Sequence, residues 1–182
     1  LSKVHGSINV AWVHTDNLVD KYRSYMKSCY VIVCNEIHIS GQGKSSKLDK
    51  LKELITEEVH PIEQKYVDTI NHKGHYRLWA SSNKNIPLNF DSDDRRISFS
   101  NCRITREQLL AKDPDYFKKL WDDVEDWNWI RRIYHFYMTR KISDDFNPNE
   151  PIRTQSRDEL IAMSRPQAFK DLDDRFEKRL GV

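Results

Sequence analysis

A strand-like apolar run that ends on an acid is the first place where this chain could do chemistry. In CYVIVCNEI at 29–37, Val31 to Cys34 are all apolar before Asn35 and Glu36 follow. A strand buried on both faces reads this way, and in open parallel sheets such strands lead into functional loops. A carboxylate held at that edge can hold a magnesium shell or orient the attacking water when a nucleoside triphosphate is hydrolysed. Glu36 has the right place, with Asn35 beside it as an uncharged ligand. The plainer alternative is that Glu36 caps the next helix.

Three further constellations accompany it. HYRLWASSN at 75–83 alternates through Tyr76, Leu78 and Ala80 and stops at Ser81, Ser82 and Asn83. A neutral amide there can hydrogen-bond a γ-phosphate or the lytic water without adding negative charge. Asp93-Asp94-Arg95-Arg96 sets adjacent arginines next to carboxylates. Arginine stabilises charge on a transferring phosphoryl group and can come from a neighbouring subunit, whereas the bland reading is a surface ion-pair cluster. GQGKS at 41–45 lies between strand and helix like the phosphate loop G-x-x-x-x-G-K-[ST], and Gly43, Lys44 and Ser45 fit it. His38 occupies the first glycine position, so an exposed loop with a basic helix start is the competing reading.

The elements that must position these residues follow from pattern. INVAWV at 8–13 reads as a strand, and Thr15 and Asp16 cap a helix through about Lys27. KLDKLKELITEE places Leu48, Leu51, Leu54 and Ile55 at helical spacing. Residues 59–73 read as two short strands with a turn near Asp68, and ISFSN at 97–101 as another short strand. From about Thr105 the texture is helical to Lys141, then broken by Pro148 and Pro151. A last helical segment runs from about Ser156 to Leu180. Trp121, Trp127 and Trp129 fall in the helical part; they read as core, with base stacking as the alternative. His72 and His75 flank a turn without a credible ligand set, and no metal site built from protein side chains is read.

Composition bounds the answer. The chain has 182 residues, with 30 Lys plus Arg against 28 Asp plus Glu, a formal net charge of +2. A wholly basic nucleic-acid coat is excluded, but a local basic groove is not. No apolar run approaches the roughly 20 residues of a membrane span. Three cysteines, Cys29, Cys34 and Cys102, fit a reducing compartment, and a cytoplasmic location is expected.

VIVCNE, KLKELITEE, the basic hairpin, SSN and DDRR, in that order, resemble the helicase domain of phage- and plasmid-type primase-helicases, in superfamily 3 of the AAA+ ATPases. The resemblance runs from about Asn17 to Pro151 and includes FNP at 146–148. It implies an α/β fold: a partial AAA+ parallel-sheet core over 1–104, from Walker B to arginine finger, followed by a C-terminal helical region over 105–182. It makes VIVCNE the Walker B strand with Glu36 as catalytic carboxylate, and Asn35 with Glu36 the ligands of ATP and Mg2+. Asn35 departs from the family's usual acid. Asn83 falls at the sensor position and Arg95 or Arg96 at the arginine finger. Lys65 and Lys73, in the stretch matching a pore hairpin, are the DNA contacts.

The same resemblance implies an ATP-dependent helicase module acting as a hexameric homo-oligomeric ring around single-stranded DNA, attached to an upstream primase region in the cytoplasm of a host cell. It also places the family's phosphate-binding loop upstream of Leu1 and makes GQGKS an accidental likeness. Two other readings follow from the residues: a non-catalytic DNA-binding replication accessory, suggested by Asn35, and a small phosphate-loop protein using Lys44 and Ser45.

Overall fold

The computed structural model describes residues 1–39, 43–64, 66–84, 88, 94, 96–147, 150 and 152–164. It is an α/β fold with a small parallel sheet and several helices. The sheet has three strands, β1 (Val10–Val13), β2 (Val31–Cys34) and β5 (Arg77–Ala80), in the order β1-β2-β5. Both pairings are parallel, with Trp12, Val33 and Trp79 in one row and Val13, Cys34 and Ala80 in the next. The two ladders give β2 a neighbour on each side, so its backbone groups are satisfied in the interior.

Alternation along β2 divides two apolar layers. Ile32 and Cys34 join the main core with Leu18, Val19, Met26, Leu51, Leu54 and Ile62. Val31 and Val33 cluster with Val10 on the opposite face, where Trp12 and Trp79 stay largely exposed. The helical spacing read in the sequence holds in α3 (Lys44–Thr56): Leu51 and Leu54 are buried, with Leu48 and Ile55 packed at their edge.

Local chemistry moves several boundaries. The helix read through Lys27 stops early, as α2 (Thr15–Val19), and a separate 3-10 turn covers Ser24–Lys27. Its N-cap is His14, without a side-chain capping bond, so Thr15 and Asp16 lie inside the helix. The hairpin strands are β3 (Val59–Gln64) and β4 (Val67–Lys73), antiparallel with a register shift between Ile62 and Gln64. Asp68, expected at the turn, therefore lies within β4, and Tyr66 just ahead of that strand adopts a left-handed φ of 65°. Residues 97–101 form no strand; ISFSN runs as irregular chain.

At the ribbon's open end Gly74 has a structural reason. A Cβ there would stand 2.6 Å from the Tyr76 hydroxyl, which is held by donating to Met26 O at 2.9 Å. The close approach needs a residue without a side chain.

The helical tail is α4 (Arg106–Lys112), α5 (Tyr116–Glu125), α6 (Trp127–Thr139) and α7 (Gln155–Ser164). Thr105 and Gln108 close α4 with a reciprocal capping box. The single long periodic stretch read in the sequence is broken at Asp113-Pro114-Asp115 and at Asp126, whose carboxylate accepts from the Asn128 amide to start α6. The short N-terminal α1 (Ser2–His5) reaches this region through Lys3, which donates to Val124 O at 2.9 Å and pairs with Glu125 at 2.7 Å. Nothing described in α7 extends beyond Ser164; the expected helix to Leu180 falls outside the described residues. Among the described residues no helix is long and apolar enough to cross a membrane.

Candidate functional site

The carboxyl edge of the parallel sheet gathers the polar tips of β2 and β5. Because the two strands are paired in register through Cys34 and Ala80, the residues that follow each must leave the sheet side by side. Ser81 N donates to Cys34 O at 3.1 Å, and Ile37 N donates to Ser81 O at 2.9 Å. The Ser81 hydroxyl then donates to the Asn35 side-chain carbonyl at 3.2 Å. Chain segments separated by 46 residues are thus tied into one rim.

Glu36 stands on that rim with φ at 56°. For a residue with a Cβ the left-handed region is unfavourable by about 1–2 kcal/mol. The turn it makes is what returns Ile37 to Ser81 and leaves the carboxylate exposed, with no ion pair among the described residues. Glu36 does not cap the following helix: the N-cap of α3 is Gly43, at a left-handed φ of 76°. Strand, connection and helix follow one another as read around GQGKS. Gly41 and Gln42 lie outside the described residues, and so does the side chain of Lys44.

Thr15 completes the rim. The His38 amide donates to its hydroxyl at 3.4 Å, and the Cys34 thiol lies 3.8 Å from the same oxygen. Burial pushes the Cys34 thiol up from its ordinary value, against the opposing Thr15 hydrogen bond. A thiol so placed is a packing group rather than a nucleophile. Sequence reading treats Thr15 only as a capping candidate; its reach to the β2 edge depends on β1 lying beside β2, which no local pattern reveals.

Asn83 is exposed on the wall of a cavity of about 560 Å³ that also takes in Ile37, Ser81, Ser98, Asn101 and Glu159. Its far wall is supplied by α7 and by the irregular 97–102 segment. Those walls are fixed by bonds that cross residue 104: Thr154 Oγ1 donates to Phe99 O, and Arg103 pairs with Glu159 at 3.2 Å.

Arg96 lies elsewhere in the bond network. Asp94 is buried, whereas Arg96 is exposed and Asp93 lies outside the described residues. Asp94 Oδ1 accepts from Arg96 N at 2.8 Å, and its Oδ2 stands 3.9 Å from both Lys52 Nζ and Arg96 Nη1 without a hydrogen-bond partner among the described residues. Arg157, itself buried, donates from Nη2 to Asp94 O. Nothing in the sequence singled out Arg157, because α7 meets this segment only in three dimensions. No hydrogen bond or ion pair links Arg96 to Glu36 or Asn83 among the described residues. Arg95 lies outside them.

The hairpin residues separate as well. Lys73 pairs with Glu58 at 3.6 Å and faces Val59 across the ribbon, at its open end. Six residues at the usual rise put it roughly 20 Å along β4 from the turn. Lys65 lies outside the described residues, whereas its neighbour Tyr66 projects fully into solvent. The tryptophans depart from the core reading: Trp121 and Trp127 are 65% and 61% exposed, and only Trp129 is half-buried.

Residues 1–96 match the model of a family of unknown function, DUF5906, and the chain belongs to that family. Solved structures share the fold. The apo C-terminal region of NrS-1 matches at a TM-score of 0.62 and 16% identity, over 87% of this chain and 37% of that one. An A-form apo structure of the same region gives 0.61 and 16%, over 88% and 36%. Another A-form structure of it gives 0.60 and 18%, over 92% and 39%. This chain therefore spans a little over a third of the length of the structures it matches. No curated protein matches it by sequence.

Proposed function

We propose that this chain is the part of a replicative primase-helicase that completes its ATP site: an ATP-dependent DNA helicase module of the superfamily 3 AAA+ type. The observation that carries the reading is the pairing of two polar strand ends, Asn35-Glu36 on β2 and Ser81-Asn83 on β5, at one edge of a parallel sheet and joined by the Ser81–Asn35 hydrogen bond. The fold it shares with the C-terminal region of NrS-1 is consistent with this reading.

In this reading Glu36 takes the proton of the attacking water, for which its carboxylate is exposed and without an ion pair among the described residues. Asn83 fixes the γ-phosphate or that water by its amide. The oxygen donors of Asn35 and Glu36 carry one negative charge and suit a Mg2+ ion that keeps most of its water and binds chiefly through phosphate oxygens. Bound Mg2+ supplies charge neutralisation on the phosphates. Arg96 or Arg95 serves a neighbouring subunit's nucleotide in a hexameric ring within the cytoplasm. DNA passes the hairpin, touching Lys65, Tyr66 and, at the open end, Lys73. The division into a core over 1–104 and a helical region over 105–182 belongs to the same proposal.

The test uses the full-length protein with single-stranded DNA. Glu36→Gln is expected to lower ATP turnover at least about 100-fold, the usual scale of a general base, with nucleotide binding retained. Unchanged turnover would refute the assignment. Absence of turnover in the native protein would favour a second reading, a DNA-binding replication accessory, which the uncharged Asn35 supports. Nucleotide binding lost on Lys44→Ala would instead favour a phosphate loop at Lys44 and Ser45.

A further inference from the structure

We infer that α6 carries a second, independent contact for single-stranded nucleic acid, outside both the sheet edge and the hairpin. From Trp127 to Lys141 the chain holds no Asp or Glu, while Arg131, Arg132, Arg140 and Lys141 are interleaved with aromatic residues. Tyr134, Phe136 and Tyr137 are 51%, 57% and 64% exposed. Arg132 and the rings of Trp129, Phe136 and Tyr137 line a shallow groove of about 400 Å³. Arg131, Arg132 and Arg140 make no ion pair among the described residues.

Charge decides what occupant suits this face. Three acids of the adjoining α5 region are already engaged, Asp122 with Lys118 at 2.9 Å, Glu125 with Lys3 at 2.7 Å and Asp113 with Lys119 at 2.8 Å, whereas Asp115 and Asp123 make no ion pair among the described residues. A second copy docked through α6 would set Arg131, Arg132 and Arg140 against the same arginines of its partner. A polyanion with flat faces meets both features, because bases stack on exposed rings and phosphates meet the guanidinium groups. Single-stranded nucleic acid has those faces available, whereas in a duplex they are stacked inside.

The test is anisotropy of a labelled dT oligonucleotide with the full-length protein across a salt series. Phe136→Ala with Tyr137→Ala should weaken binding roughly tenfold and leave the salt slope unchanged. Tyr137→Phe, which keeps the ring, should bind like the native protein. Arg131→Ala with Arg132→Ala should weaken binding and flatten the slope by about 0.7 per charge removed. Circular dichroism melting should be unaltered in each, since the substituted side chains are exposed. Native-like binding by all α6 variants while Lys73→Ala abolishes it would overturn the inference and leave the hairpin reading intact. Loss of self-association in the α6 variants with unchanged oligonucleotide binding would overturn it in favour of a protein interface.

Discussion

Strand β2 and helix α6 both carry large apolar side chains and have opposite surroundings. In β2 every side chain from Val31 to Cys34 is buried, because β1 and β5 flank it and both sheet faces carry apolar neighbours. In α6 only Ile130 is buried, and Trp127, Tyr134, Phe136 and Tyr137 stand in solvent. The helix rests on α5 and the short α1 and has no sheet beneath it. Apolar periodicity thus states that a face can be covered without stating by what. The β2 side chains are held by this chain's own core, whereas the α6 side chains have only a thin support.

The contrast can be broken most severely in the core. Leu51→Ala, on the α3 face that covers the sheet, should cost about 3–4 kcal/mol in chemical denaturation. A loss under about 1 kcal/mol would show that α3 is not packed as described. Arg157→Ala should come next, at about 2 kcal/mol, since it strips a buried charged donor from Asp94 O and leaves that acceptor unsatisfied. A melt that matches the native protein's would mean that α7 does not pin the 94–99 segment.

A smaller, pH-dependent effect belongs to His60. Burial lowers its folded-state value below the ordinary 6.5, and its Nε2 has no hydrogen-bond partner among the described residues. Below about pH 6.5 the unfolded chain binds the proton more readily than the folded one. Stability from this group is therefore full above that pH and declines as pH falls towards the folded value. Thermal melts at pH 7.5 and pH 5.5 should differ less in His60→Phe than in the native protein; an equal difference would remove His60 from the explanation. The smallest effect is expected in the helical tail, where Trp121→Ser should change stability by no more than about 0.5 kcal/mol. A cost of several kcal/mol would place Trp121 in a packed interior after all.

Much of the core was legible in the sequence because its signals are local. The buried run at 31–34 and the spacing of Leu51 and Leu54 each needed only a window of a few residues. Glu36 and Asn83 were legible as strand-end residues for the same reason. What was hidden depends on pairing between distant segments: Thr15 at the β2 edge, Ser81 on Asn35, and Arg157 beneath Asp94. The tryptophans misled for a related reason, since helical spacing alone cannot report whether a second layer exists. The misplaced hairpin turn has a local cause, as Tyr66 takes a left-handed conformation that its residue type does not advertise.

In the proposed function the ends of β2 and β5 form one reacting site. A double-mutant cycle on ATP turnover by the full-length protein tests it most directly, with Glu36→Gln, Asn83→Ala and the pair measured together. Residues acting on one transition state are strongly non-additive. The pair should fall little further than Glu36→Gln alone. Full additivity of the two losses, or turnover unaffected by either, would contradict the claim.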